Sequence, residues 1–113
     1  MELNASQFSN GKAHTGDLGF NWHSPTSPEG KAYDKTADKK PRKTTVEDVS
    51  LDSLHTVQHS VSMAGVQKYS GGSDNMPEVS RVKGKNWMDD GHHRVEAFRQ
   101  GGGQSMQMKV NHY

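Results

Sequence analysis

The chain has 113 residues, enough for one domain, and only 29% of them are hydrophobic, well under the ~45–50% apolar content of ordinary globular domains. A formal net charge of +1 sets up no strong field for nucleic acid or membrane. The absence of cysteine excludes thiol catalysis, disulfides and Cys-ligated zinc. No apolar run approaches the ~20 residues of a membrane span. The opening MELNASQFSNGK has neither the basic start nor the apolar middle of a secretory signal, so a cytoplasmic protein is expected.

The apolar deficit falls on residues 1–44. Leu3, Phe8, Leu18, Phe20, Trp22 and Tyr33 are scattered there among Ser, Thr, Asn, Gly, Pro and Lys. Such a stretch buries too little to offset its ordering entropy. It is expected to form an extended, largely irregular N-terminal arm, disordered by itself. Within it, GFNWHSP groups Phe20, Trp22 and His23. Aromatic side chains in a polar arm suit docking on a partner, which makes Phe20 and Trp22 candidate docking residues; incidental composition is the alternative. The basic run Lys39, Lys40, Arg42 and Lys43 reads either as a solvated hinge or as a contact for nucleic acid or an anionic surface. Nucleic-acid binding through this run plus the hairpin lysines Lys83 and Lys85 is a third, weaker reading of the chain.

From Thr45 the pattern changes, and residues 45–113 read as the folded domain. TVEDVSLDSL offers Val46, Val49, Leu51 and Leu54 as buried positions of a short strand and turn. In SVSMAGVQKYSGG, Met63, Val66 and Tyr69 recur at helical spacing. The reading is a helix near 62–70, capped by Ser60 or Ser62 and stopped by Gly71 and Gly72. SDNMP is a loop. EVSRV and NWMD flank KGK as a hairpin, with Gly84 supplying the unusual dihedrals. HHRVEAFRQ is a second helix with Val95 and Phe98 on its buried face, ended by Gly101 to Gly103. In SMQMKVNHY, Met106, Met108 and Val110 face one way and Gln107 and Lys109 the other, as in a half-buried strand. The order is β-α-β-β-α-β. Methionines 63, 76, 88, 106 and 108 are expected to fill much of a small core with adaptable side chains.

The chemistry concentrates in DGHHR, residues Asp90 to Arg94, where the second hairpin strand gives way to a helix. Backbone N–H groups at a helix start lack intrahelical partners and carry the positive end of the helix dipole. Gly91 permits close approach to the backbone, and Arg94 offers a planar fork for phosphate oxygens. His92 and His93 add donors, or an acid or base near neutral pH. Together these make an anion cradle. Two other readings stay open. Asp90 serves only as a helix N-cap followed by exposed first-turn residues, or the histidines bind a metal. Adjacent histidines project ~100° apart on a helix, so a metal would need Asp89, His55, His59 or His112 brought in by the fold.

The run VSLDSLHTVQHSVSMAGVQKY, the hairpin, and then DGHHRVEAFRQGGGQSMQMKV resemble the ParB/sulfiredoxin superfamily, and its phage-type ParB-like (nuclease) members most of all. Val49, Leu51 and Leu54 match that family's first strand and turn, and Pro77 its loop. Asp90, Gly91, His92, His93, Arg94 and Ala97 match its strand-to-helix motif. The resemblance spans about residues 46–113 and implies a small α+β, ParB/sulfiredoxin-like domain behind the arm. It implies a phosphate or nucleotide site formed by Gly91, His92, His93 and Arg94, with His92, His93 and Asp90 as the catalytic set. Mg²⁺ with CTP or ATP is the implied cofactor, and NTP or phosphodiester hydrolysis the implied reaction. Three departures stand against a full carry-over. The sulfiredoxin cysteine is missing, SGGSDNMPEV lacks a second phosphate-binding cation, and no helix-turn-helix domain follows Tyr113. Weak or no direct DNA binding is therefore expected. The competing reading is a non-enzymatic phage virion or assembly component whose arm docks on a neighbouring subunit. On either reading the protein works in the host cell, and on the second it enters the virion.

Overall fold

The computed structural model describes residues 11–68 and 76–113. It is a mixed α+β domain. In chain order its elements are β1 (Lys12–His14), β2 (Asn21–Trp22), α1 (Pro28–Asp34), β3 (Lys43–Ser50), β4 (Leu54–Thr56), β5 (Ser60–Ser62), α2 (Met63–Lys68), β6 (Glu78–Val82), β7 (Lys85–Asp90), α3 (His92–Gln100) and β8 (Ser105–His112). Six strands form one sheet in the order β2-β4-β7-β6-β8-β3, and β1 pairs with β5 in a separate ribbon.

From β3 onward the expected β-α-β-β-α-β order is present with two short strands, β4 and β5, added before α2. The hairpin turns at Lys83 and Gly84, with φ 51° and 78°, the left-handed pair that a tight two-residue hairpin needs. Ser62 caps α2 by accepting from the Gly65 N–H at 3.3 Å. The expected end of that helix at Tyr69 to Gly72, and most of the SDNMP loop, lie outside the described residues.

Adjacent strand residues point to opposite faces, and in β7 they meet different layers. Met88 joins Val79, Met108, Val110 and Val95 in the main core beneath α2 and α3. Trp87, 1% exposed, faces the other way and stacks on Tyr33 of α1 at 5.2 Å between ring centroids. Helices therefore cover both faces of the sheet at its β7 end. At the β3 edge the α1 side is open. This is why Val46, paired with Lys109, is 58% exposed although the sequence suggests a buried position. Met76, expected in the core, is also exposed.

Residues 11–44 are made of short pieces, and they are docked on the body. Ala13, Leu18 and Phe20 belong to the same core as Leu54 and Val95, so the boundary at residue 44 is not a boundary of packing. Arg99 on α3 fixes this segment. Its guanidinium donates to the Leu18 carbonyl and to the Leu51 carbonyl at 3.0 Å. It also pairs with Glu96 at 2.9 Å and lies 4.8 Å from the Phe20 ring centroid. Phe20, a candidate for docking on a partner, is instead 3% exposed inside its own chain. Trp22 keeps an exposed face and packs on the rings of His14 and His59.

Candidate functional site

The strand-to-helix junction places DGHHR as the spacing predicts, with one difference at the cap. Asp90 ends β7, and Gly91 is the N-cap of α3 with φ 105° and no side chain capping the helix. The Asp90 N-cap alternative is thereby excluded. Among the described residues no carboxylate or hydroxyl caps the first-turn N–H groups of α3, and that end of the helix carries the positive dipole. Gly91 is required twice over. Its φ is one that L side chains rarely adopt, and a Cβ there would sit 2.9 Å from Pro77 Cβ. Gly91→Ala is expected to lower stability by about 1–3 kcal/mol and shift Pro77. Denaturant midpoints check this, and an unchanged midpoint would contradict it.

A pocket of about 200 Å³ opens at this junction, lined by Asp89 to Arg94 with Gln58, Met76 and Pro77. Arg94 is half-buried, and its Nη1 is out of solvent with no hydrogen-bond partner among the described residues. Such a donor costs free energy unless something accepts from it. The two histidines differ. His92 is 6% exposed, and its Nε2 shares a 2.7 Å hydrogen bond with Thr56 Oγ1. Burial, reinforced by neighbouring His93, lowers its pKa to about 4. Its ring is an internal strut, so a ligand at residue 92 would meet the backbone N–H. His93 is half-buried and lines the pocket. Its ring covers Gly65 of α2, where a Cβ would lie 2.4 Å from His93 Cδ2. Gly65, Pro77 and Thr56 therefore shape the site. The family resemblance already pointed to Pro77; Gly65 and Thr56 carry no motif, and their signal was in the packing of the pocket, not in their residue types.

The two aspartates also separate. Asp89 Oδ1 accepts from the Tyr33 hydroxyl at 2.7 Å and Oδ2 from the Ser80 hydroxyl at 2.6 Å. Asp90 is exposed at the pocket's lip. The other residues considered for a metal are dispersed. His55 Nδ1 lies 2.9 Å from His23 Nε2, His59 packs on His14, and His112 Nε2 lies 2.8 Å from Thr45 Oγ1. Among the described residues no three His, Asp or Glu side chains converge as a metal set.

No protein-family model matches the chain, and no curated protein matches it. Among solved structures, sulfiredoxin from Arabidopsis thaliana aligns with a TM-score of 0.54 at 18% identity, covering 61% of this chain and 86% of that one. The fold is sulfiredoxin-like. This agrees with the superfamily suggested by the sequence at the level of fold, and at 18% identity the likeness speaks for fold alone. Within the sulfiredoxin-like domain, no described helix is long and apolar enough to cross a membrane.

Proposed function

We propose that the protein binds the phosphate groups of a nucleotide at the start of α3. The observation that carries this reading is the open pocket lined by Gly91 to Arg94 at a helix start that no described side chain caps, together with Arg94 Nη1, which is out of solvent and has no hydrogen-bond partner among the described residues. Phosphate oxygens would satisfy both sets of donors. The DGHHR resemblance narrows the ligand to a nucleoside triphosphate such as CTP or ATP.

Two carboxylates near the pocket oppose a bare anion. Mg²⁺ on the phosphates relieves this, because it is commonly held by one or two carboxylates together with phosphate oxygens. Asp90 is the group that would hold it, since both Asp89 oxygens are already engaged. For hydrolysis of the nucleotide, or of a phosphodiester, the proton-transfer residue on this reading is His93. His92 is committed to Thr56.

The test is a thermal-shift titration of the purified chain with CTP, ATP and GTP, each with and without Mg²⁺, beside Arg94→Ala. At saturating ligand a rise of about 5 °C or more is expected for at least one nucleotide, and it should vanish in the variant. No rise with any nucleotide, or an equal rise in Arg94→Ala, would remove the support for this function.

A further inference from the structure

The fold gathers the basic run into a second site. Lys35 and Lys39 to Arg42 follow α1, and Lys83 stands at the tip of the β6–β7 hairpin. Lys35, Lys39, Lys40, Arg42 and Lys83 together line a groove of about 420 Å³. All five are exposed. Four come from residues 35–42 and Lys83 from a distant hairpin, in a chain whose net charge is only +1, so the balance of the whole molecule conceals a local concentration of cations. None of the four lysines has an ion-pair partner among the described residues. Arg42 uses one nitrogen on the Tyr113 carbonyl at 3.5 Å.

Lys83 is the informative member. Its φ of 51° lies in the left-handed region that a tight hairpin more often gives to Asn or Gly. The turn sets its charge at the groove's rim. Ala32, Thr36, Val82 and Tyr113 also line the groove; Val82 is buried, and the half-buried Ala32 and Tyr113 supply its apolar and aromatic surface.

We propose that this groove binds a single-stranded nucleic-acid backbone. Five cations exceed what one phosphate group neutralises and suit a run of phosphates. The apolar and aromatic surface suits unpaired bases, whose faces a duplex hides. The groove is separate from the α3 pocket. Between the two lies a bowl carrying Asp34, Glu78 and Asp89, which repels a polyanion crossing it. The proposal takes up the weaker sequence reading, nucleic-acid binding through the basic run and the hairpin lysines, over the expectation of weak or no direct DNA binding.

The experiment is fluorescence anisotropy of a labelled oligodeoxythymidylate with the full chain in rising salt. Binding should weaken with a log–log slope of about −3, as expected for four or five phosphate contacts on a single strand. The double variant Lys40→Glu, Lys83→Glu changes only exposed side chains, and circular dichroism verifies its fold. It should bind at least tenfold more weakly, whereas Arg94→Ala should bind as the unaltered chain does. That control keeps failure here distinct from failure of the nucleotide reading. Absence of binding at about 50 mM salt, equal binding by the double variant, or preference for a duplex or for phosphatidylserine vesicles would each overturn the proposal.

Discussion

Arg99→Ala is expected to remove about 3–5 kcal/mol of folding stability, the typical cost of breaking a buried ion pair from one side. Glu96 is 3% exposed on its side chain and has its partner on the next turn of α3. Without Arg99 it keeps only the Gln100 amide at 3.2 Å. Burial already pushes the Glu96 carboxyl above its ordinary pKa, and Arg99 offsets that push. The same guanidinium satisfies the carbonyls of Leu18 and Leu51 and covers Phe20. Gly19, at φ 102°, leaves room for it, since a Cβ there would lie 2.6 Å from Arg99 Nη1. The variant should therefore loosen residues 11–24 first. Urea unfolding gives the cost, and limited proteolysis locates it. A loss under about 1 kcal/mol, the range of an exposed pair, would contradict this account. Pairing Arg99→Ala with Glu96→Gln should recover part of the loss, because the stranded charge is then gone.

Acidification should destabilise the fold through His92. A histidine whose folded pKa lies below its unfolded value is protonated in the unfolded chain first. Stability is therefore highest above the ordinary value of 6.5 and falls as pH drops toward about 4. Below that both states carry the proton and the loss stops growing. The shift is worth on the order of 3 kcal/mol across that window. His55 is lowered too, by burial and by His23, and contributes in the same direction. Glu96 is raised and acts in the opposite sense, so the whole-protein slope mixes signs. The difference between the unaltered chain and His92→Gln isolates the histidine. Urea midpoints near neutral pH and near pH 4 should converge in that comparison as pH falls. Parallel curves would mean that His92 is not held neutral by its burial against Thr56 and Phe20.

How far this site could be read in the sequence depended on whether its signals were local. The DGHHR junction, the Lys83-Gly84 turn and the alternating strand at 105–112 follow from neighbouring residue types, and all stand where the spacing puts them. The stripe of α3 did not follow. Its inward positions are His92, Val95, Glu96 and Arg99, at helical spacing but largely polar. A search for apolar periodicity therefore selects Phe98, which is 44% exposed. The same polar stripe explains why residues 11–44 read as a free arm. Leu18 and Phe20 are too few to declare a core by themselves, and the group that holds them is a charged residue about 80 positions away. The sequence could name the hairpin lysines beside the basic run only as a weak option, and the fold sets Lys83 with Lys39 and Lys40 in one groove.

The central claim is that phosphate is held at the start of α3. It is tested most directly by following backbone amide resonances of ¹⁵N-labelled protein during titration with CTP or ATP and Mg²⁺. The account predicts that Gly91, His92, His93 and Arg94 shift first and saturate together, with Gly65 following through its contact with His93. Shifts confined to the lysine groove, or no shift at residues 91–94 at saturating nucleotide, would contradict it.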